Sequence, residues 1–211
     1  MTRVKICGIT RTEDALQAAA LGADWIGFVM APSPRRIEPA AVGRIARRLA
    51  EAHPAVGRVG VFVDPTVEEI EEAVEAAALT HVQIHGTAPE RLPAGIPWIA
   101  ALGLTGPEGA AVPPGDPWGL LVEPRIDGRM GGTGQTFPWD WARPLAAFPR
   151  LFVAGGLDAE RVTALLRVLR PFAVDASSRL ETAPGVKDPG KLEAFFTAVR
   201  AAETESEGEL E

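Results

Sequence analysis

Short apolar runs recur along the chain and are separated by amphipathic or alanine-rich segments. Runs of five or six residues rich in Val, Ile, Phe and Trp predict strands, and apolar residues spaced three or four apart predict helices. The predicted strands are 3–7, 25–29, 58–62, 81–85, 98–102, 118–122, 150–155 and 172–176. The predicted helices are 12–22, 38–52, 66–78, 88–92, 106–111, 139–147, 158–169 and 188–202, and the fifth has the weakest pattern.

Several of the predicted helices carry start or stop signals. Thr66 and Asp158 each stand directly before an amphipathic segment, where their side chains can accept from free backbone N–H groups. Pro189 fits a first helical position after Asp188, and Gly22 fits the end of the first helix. These signals support the predicted helix boundaries.

Strands that alternate with helical crossovers predict a parallel sheet covered on both faces. Eight such units within 211 residues predict a single-domain (β/α)8 TIM barrel, compact, with a weak or missing fifth helix. A doubly wound open sheet is the alternative, but no G-x-G-x-x-G motif follows the first strand.

Composition and charge narrow the class of protein. A hydrophobic fraction of 46% excludes a disordered chain, and no apolar run reaches the ~20 residues of a membrane-spanning helix. The net charge is −7, yet five Glu lie in the last nine residues. We therefore expect a barrel domain over 1–202, an acidic and disordered tail over 203–211, and no nucleic-acid partner.

Cysteine and amide usage bear on the location of the protein and on its heat adaptation. A single Cys cannot form an internal disulfide, which favours a cytoplasmic protein. Arg far outnumbers Lys and Asn is absent, which fits heat adaptation and fits GC-rich codon usage equally.

Unusual polar residues fall where the predicted strands end. Active sites of such barrels lie at the carboxyl ends of the strands, so these residues predict one shared site. They are Cys7, His85, Glu123, Asp175, Ser177 and Ser178, together with the glycines Gly132, Gly134, Gly155 and Gly156.

Cys7 is the candidate general base. Arg3, Lys5 and Cys7 alternate along the first strand and so share a face, and a Lys beneath a Cys favours the thiolate. Lys5 is read in two further ways: as a Schiff-base lysine, or, the reading we favour, as an interior residue paired with a carboxylate. A lone Cys near a strand end is also often just a small buried hydrophobe.

Two carboxylates are candidates for the general acid. Glu123 directly follows the apolar run of the sixth strand, and Asp127 lies four residues further on. A proton-shifting isomerisation needs an acid and a base on different sides of its substrate. Each carboxylate is alternatively a solvated loop residue.

The glycine pairs predict an anion site. Gly155 and Gly156 end the seventh strand just before a helix, so backbone N–H groups can approach a phosphate closely, although tight turns alone also require glycine. The hydroxyls of Ser177 and Ser178 would add donors, and Arg35 and Arg36 offer forks for a carboxylate or phosphate.

His85 is either a polar wall of the pocket or a satisfied core histidine. No His, Cys and Asp cluster has metal-ligand spacing, so we expect no metal and no cofactor. The residues alone therefore predict a barrel enzyme that acts on a phosphorylated small molecule by acid–base chemistry.

Motifs such as Lys-Ile-Cys-Gly, Gln-Ile-His-Gly and Gly-Gly-Thr-Gly-Gln occur in order along the chain. Together they resemble the phosphoribosylanthranilate isomerase family of tryptophan biosynthesis. The resemblance covers about residues 3–200. The matching segments are 4–10, 22–29, 33–36, 60–63, 83–86, 131–137, 154–157, 170–178 and 184–188.

The resemblance implies a function and a role for several residues. It implies an Amadori rearrangement of N-(5-phosphoribosyl)anthranilate to 1-(2-carboxyphenylamino)-1-deoxyribulose 5-phosphate, the third step from chorismate to tryptophan, by a cofactor-free monomer or homodimer. Cys7 would remove the C2′ proton, Glu123 would protonate the ring oxygen, and Arg36 would bind the anthranilate carboxylate. The glycine loops, with Ser177 and Ser178, would hold the phosphate.

Two departures from the family pattern leave alternatives open. Glu123 stands where the family has Asp, so Asp127 is the alternative acid, and Arg179 stands where Gly is more usual. A phosphate-binding barrel without catalysis and a Schiff-base aldolase that uses Lys5 are the competing functions.

Overall fold

The computed structural model describes residues 1–106, 111–126, 129–130 and 136–208. Eight parallel strands form its centre, at the positions that the apolar runs predict. They are β1 (Arg3–Ile6), β2 (Trp25–Val29), β3 (Gly57–Val63), β4 (His81–His85), β5 (Trp98–Leu104), β6 (Gly119–Ile126), β7 (Leu151–Ala154) and β8 (Ala173–Ala176).

The strands close into a barrel. Each pairs in parallel with its neighbours in the chain, and β1 also pairs with β8, from Arg3 opposite Ala173 to Ile6 opposite Ala176. Closure leaves no free sheet edge. Because all eight strands are parallel, their carboxyl ends lie on one rim of the barrel. The predicted TIM barrel is confirmed.

In the part of the chain that the structure describes, five α-helices surround the barrel, and the caps predicted at Thr66 and Asp158 are present. The Thr66 hydroxyl accepts from Glu69 N–H at 3.2 Å while the Glu69 carboxylate accepts from Thr66 N–H at 2.9 Å. Asp158 accepts from Arg161 N–H at 3.0 Å. The helices are α1 (Thr12–Ala20), α2 (Pro39–Ala52), α3 (Val67–Ala77), α4 (Ala159–Val168) and α5 (Pro189–Gly208).

The crossover from β4 to β5 differs from its prediction. Residues 86–97 contain no helix, so the short helix predicted at 88–92 is wrong. Pro89, Pro93 and Pro97 lack backbone donors, and Gly95 has a φ of 78°, which together prevent a continuous helix. The predicted helix at 106–111 lies mostly outside the described residues.

The segments that flank β7 differ in smaller ways. The predicted helix at 139–147 is a 3-10 helix, Trp139–Leu145, with Pro144 inside it. Strand β6 extends to Ile126, four residues beyond its predicted end. It keeps pairing with β5 through Gly103–Glu123 and Leu104–Pro124, and its last two residues pair antiparallel with Arg129–Met130.

Side chains alternate between two apolar regions. Outward residues of the strands pack against the helices, as Ile26 and Val122 do. Inward residues form a smaller cluster within the barrel. Its members are Trp25, Val59, Ile99, Ala101, Leu121, Phe152, Ala154 and Ala173. The period of two predicted from the sequence therefore decides which residues reach the interior.

The last helix runs to Gly208, so helical backbone continues past residue 202, where we placed the end of the barrel domain. The division of the chain at that residue stays a prediction. Within the described part of the chain, no helix combines the length and apolar character needed to cross a membrane.

Candidate active site

A cavity of about 790 Å³ opens at the carboxyl ends of the strands. Its volume is in the range typical of small-molecule sites. Most of the residues predicted for the rim line it. They are Cys7, His85, Glu123, Gly155, Gly156, Asp175, Ser177 and Ser178. Asp127, Gly132 and Gly134 lie outside the described residues.

Cys7 follows β1 and is held by its own backbone. Its N–H donates to Ala176 O at 2.9 Å, and its carbonyl accepts from Ser177 Oγ at 2.9 Å. Gly27 on the adjacent strand makes room for the thiol, because a methyl group there would lie 2.8 Å from Cys7 Sγ. The thiol is therefore buried in a tight recess of the cavity wall.

Burial and the nearby ammonium groups shift the pKa of the thiol in opposite directions. Burial raises the pKa of Cys7 above its ordinary value, although the Lys5 and Lys187 ammonium groups oppose that shift, and Asp175 adds to it. Lys5 therefore favours the thiolate, as predicted, but its effect is smaller than that of burial. The neutral thiol is therefore favoured more than in free cysteine.

Lys5 pairs with a carboxylate in the barrel interior, as we favoured. Its Nζ lies 3.0 Å from Asp175 Oδ2, and the side chain is fully buried. Burial lowers the pKa of Lys5, but attraction to Asp175 and Cys7 outweighs it and leaves that pKa raised. An ammonium held in this way is a poor nucleophile, which argues against a Schiff-base aldolase.

Glu123 lies within β6 with its side chain buried against the cavity. Its Oε1 is 3.2 Å from His85 Nδ1, and His85 Nε2 lies 2.9 Å from Gln83 Nε2. With Gln83 oriented in this way, the neutral imidazole carries its proton on Nδ1, the nitrogen that faces Glu123. His85 is thus a polar wall of the cavity and a neighbour of the candidate acid.

Within the described part of the chain, two buried side-chain atoms of this cavity, Gln83 Oε1 and Asp175 Oδ1, have no hydrogen-bond partner. The buried Glu123 Oε1 has the His85 Nδ1 contact at 3.2 Å but makes no hydrogen bond of good geometry. Buried polar atoms in folded proteins are nearly always paired, because an unpaired one costs about 1–3 kcal/mol. Such atoms around one cavity are available to hydrogen-bond a polar ligand.

The glycine turn after β7 has the backbone that an anion site needs. Gly155 and Gly156 have φ values of 110° and 56°, which side-chain-bearing residues rarely adopt. Asp158 then caps α4, whose N-terminus faces the same end of the barrel. Because the Ser177 hydroxyl donates to Cys7 O, its single proton is not available to a phosphate at the same time.

The two neighbouring arginines of the β2–α2 loop behave differently. Arg35 lines the cavity, but its fork binds Glu181, with Nη2 to Oε2 at 2.7 Å and Nε to Oε1 at 2.9 Å. Arg36 pairs with Glu38 at 3.1 Å, is about half exposed and does not line the cavity. Its predicted role at the substrate carboxylate stays a prediction.

Sequence reasoning missed Lys187 and Glu181. Both are buried, and Lys187 Nζ lies 2.8 Å from Glu181 Oε1 and 2.7 Å from Cys7 O. Burial raises the pKa of Glu181, but Arg35 and Lys187 outweigh it and leave that pKa lowered, so the carboxylate is ionised. A signal was present, since only three residues of this arginine-rich chain are Lys.

Among the residues that the structure describes, no group of three or more His, Cys, Asp or Glu side chains is arranged to hold a metal ion.

Comparison with known proteins identifies close relatives. The family model for N-(5'-phosphoribosyl)anthranilate (PRA) isomerase matches residues 4–198. A Pseudomonas putida (strain W619) N-(5'-phosphoribosyl)anthranilate isomerase is 40% identical over 217 residues, covering 95% of this chain and 98% of that protein. The crystal structure of phosphoribosyl anthranilate isomerase from Thermus thermophilus has 42% identity and a TM-score of 0.81, covering 95% and 99% of the two chains.

A further solved relative carries a ligand. A phosphoribosyl anthranilate isomerase in complex with reduced 1-(o-carboxyphenylamino)-1-deoxyribulose 5-phosphate is 34% identical, with a TM-score of 0.75. The alignment covers 95% of this chain and all of that one. The similarity thus extends over the whole barrel, including the rim that carries the cavity.

Proposed function

The chain belongs to the N-(5'-phosphoribosyl)anthranilate isomerase family, and from that membership we propose how its cavity performs the family's reaction. The enzyme isomerises N-(5-phosphoribosyl)anthranilate to 1-(2-carboxyphenylamino)-1-deoxyribulose 5-phosphate in tryptophan biosynthesis. No atoms are gained or lost in this rearrangement. It needs an acid at the ring oxygen and a base at C2′.

The observation that carries the proposal is that Cys7 and Glu123 line one cavity from different strands. Strands β1 and β6 are separated around the barrel by β7 and β8. A substrate bound between them would present its ring oxygen to one group and its C2′ proton to the other.

Glu123 acts as the general acid. It gives its proton to the furanose ring oxygen while the nitrogen lone pair forms the C1′–N double bond, and the ring C1′–O bond breaks. The adjacent His85 Nδ1, 3.2 Å from Oε1, orients the carboxyl group toward the cavity. Asp127, outside the described residues, remains the alternative acid.

Cys7 acts as the general base. Its thiolate takes the C2′ proton, and the electron pair of that C–H bond moves toward the iminium nitrogen to give an enolamine. Transfer of a proton to C1′ and loss of the C2′ hydroxyl proton then give the ketone. Lys5 and Lys187 stabilise the thiolate during this step.

The two ends of the substrate take different parts of the rim. The phosphate binds to backbone donors of the glycine loops, at Gly155 and Gly156 and at Gly132 and Gly134, with Ser178. The anthranilate carboxylate binds Arg36, which would have to leave Glu38; that surface pair is worth under about 1 kcal/mol. Asp175 Oδ1, which has no hydrogen-bond partner among the described residues, accepts from a sugar hydroxyl.

The decisive test measures the loss of phosphoribosylanthranilate fluorescence on addition of the protein, as a function of pH. A base whose pKa is raised by burial must lose its proton first, so kcat/KM should still be rising above about pH 8.5, the ordinary pKa of a thiol. The Cys7→Ser variant is the control. A parental profile that is flat between pH 7 and 9 would assign the base to another group.

We also propose a cellular location and an assembly state for the enzyme. We place the enzyme in the cytoplasm, because its single Cys is a site residue rather than half of a disulfide. Its partner is the phosphorylated substrate, and a net charge of −7 disfavours nucleic acid. We propose that the enzyme is a monomer or a homodimer, and light scattering distinguishes the two.

A further inference from the structure

A buried ammonium group behind the cavity makes contacts that its effect on the thiolate charge does not explain. Lys187 is 2% exposed, and its Nζ has three acceptors: Cys7 O at 2.7 Å, Glu181 Oε1 at 2.8 Å and Ser177 O at 3.3 Å. An ammonium group has three N–H donors, so each has a partner. One side chain thus joins the end of β1 to the segment that follows β8.

The carboxylate beside it extends the connection. Glu181 also binds the fork of Arg35, whose aliphatic part packs so closely on Gly8 that a methyl group there would lie 2.6 Å from Cδ. The backbone after β1, the β2–α2 loop and the 177–187 segment are therefore held by one ion triad. All three of these segments contribute to the cavity lining or lie beside it.

We propose that Lys187 is a positioning residue for the isomerase, which fixes the main chain of Cys7 against that of Ser177 and so sets where the thiolate stands relative to bound phosphate. The proposal rests on the assignment of Cys7 as the base.

The backbone geometry explains why this contact matters. The peptide before Cys7 is fixed by its N–H bond to Ala176 O, and the peptide after it is fixed by Lys187 and by Ser177 Oγ. With both peptides held, the direction of the Cα–Cβ bond is set. A displacement of about 1 Å in a reacting group can cost about 10²-fold in rate.

The test replaces Lys187 with a side chain of similar length that has no charge. Lys187→Met should lower kcat for phosphoribosylanthranilate about 10-fold or more, while KM changes less than about threefold. Alkylation of the chain's single thiol by iodoacetamide should also shift its midpoint to higher pH, because a neighbouring positive charge is lost. Lys5 and Asp175, the other charged groups that face Cys7, are unchanged in this variant.

Arg58→Met is the matched control. Arg58 also donates to two backbone carbonyls, Ala78 O at 2.7 Å and Val56 O at 3.4 Å, but at the amino end of β3. Its loss should lower Tm without changing kcat or the alkylation midpoint at 25 °C. A purely structural Lys187 would behave in the same way.

Lys187→Gln, which keeps a polar group beside Glu181, decides the question if Lys187→Met fails to fold. A variant with kcat within about twofold of the parent and an unmoved alkylation midpoint would overturn the proposal, whatever its Tm. The alkylation measurement needs no substrate. An unmoved alkylation midpoint would therefore count against the role of Lys187 alone. Whether Cys7 is the base is tested separately, by the turnover of Cys7→Ala.

Discussion

The two ends of the barrel are built from the same strands but hold opposite kinds of side chain. At the amino end, aromatic rings fill the interior, with centroids 4.9–6.2 Å apart and mostly edge-to-face. They are Trp25, His81, Trp118, Phe152 and Phe172. At the carboxyl end, charged and polar groups surround an open cavity of about 790 Å³.

The difference shows how one scaffold serves stability and chemistry separately. Edge-to-face aromatic contacts and buried apolar area stabilise the amino end, and the guanidinium of Arg3 lies 4.6 Å from the Phe172 ring centroid. At the carboxyl end, Gln83 and Asp175 each have a buried oxygen with no hydrogen-bond partner among the described residues. Substitutions at the two ends should therefore separate activity from stability.

Cys7→Ala should have the largest effect, and on activity alone. Removal of the base should lower kcat about 10²–10⁴-fold, while Tm and product affinity stay near those of the parent, since the thiol packs only against the cavity wall. Steady-state fluorescence assays measure kcat, thermal unfolding measures Tm, and titration with product measures its affinity. Over half of the parental turnover would remove Cys7 from the mechanism.

Glu123→Gln should have the second largest effect on activity. Its kcat should be lowered about 10²-fold, because the amide cannot protonate the ring oxygen. Asp127→Asn is the matched control and should lower kcat much less. Single-turnover measurements avoid a contribution from product release. The reverse ranking would make Asp127 the acid.

A pair of glycine substitutions compares the ends directly. In Gly27→Ala the new methyl group would stand 2.8 Å from Cys7 Sγ, and in Gly57→Ala it would stand 2.2 Å from Trp25 Cδ1. Gly27→Ala should lower kcat about 10-fold by displacing the thiol. Gly57→Ala should instead lower the free energy of unfolding by about 1–3 kcal/mol, with kcat retained in the folded enzyme.

Denaturant unfolding and steady-state kinetics on both variants give this comparison. If Gly57→Ala lowered kcat as much as Gly27→Ala, the two ends would be coupled rather than independent.

The smallest effect concerns the pH dependence of stability at the amino end. Burial, with Arg58, lowers the pKa of His81 from 6.5 to about 4, so the folded protein keeps this imidazole neutral. Below pH 6.5, His81 binds a proton in the unfolded chain but not in the folded chain. The free energy of unfolding should therefore fall as the pH is lowered to about 4. His81→Phe should flatten the decline of Tm between pH 7 and 5.

Other carboxylates titrate in the lower part of that window, so the comparison is between the slopes of the parent and the variant. Equal slopes would mean that His81 is not held neutral by the fold.

Local patterns predicted most of the architecture. Thr66 and Asp158 cap helices because a cap depends on residues only three positions away. The helix predicted at 88–92 failed for an equally local reason, since the surrounding prolines were visible in the sequence. The end of β6 lies beyond its predicted position because the strand keeps pairing with β5 and then with Arg129–Met130, and no local pattern of residues records the pairing with β5.

The sequence by itself determined which residues reach the rim. A period of two along each strand and the shared direction of parallel strands bring Cys7, Glu123, Asp175 and Ser177 to one end before any contact is known. It also contained an unused signal. The lysines of this chain are Lys5, Lys187 and Lys191, and the first two are buried beside Cys7 while the third donates to Glu181 O.

Only the tertiary structure decided which charges are partners. Lys5 pairs with Asp175, 170 residues away, and Arg35 pairs with Glu181, 146 residues away. The local pattern suggested Arg35 as a ligand for substrate, but closure of the barrel brings Glu181 within its reach first. Partner choice for a buried charge depends on which opposite charge the fold places within about 4 Å, and that distance is set by packing of the whole chain.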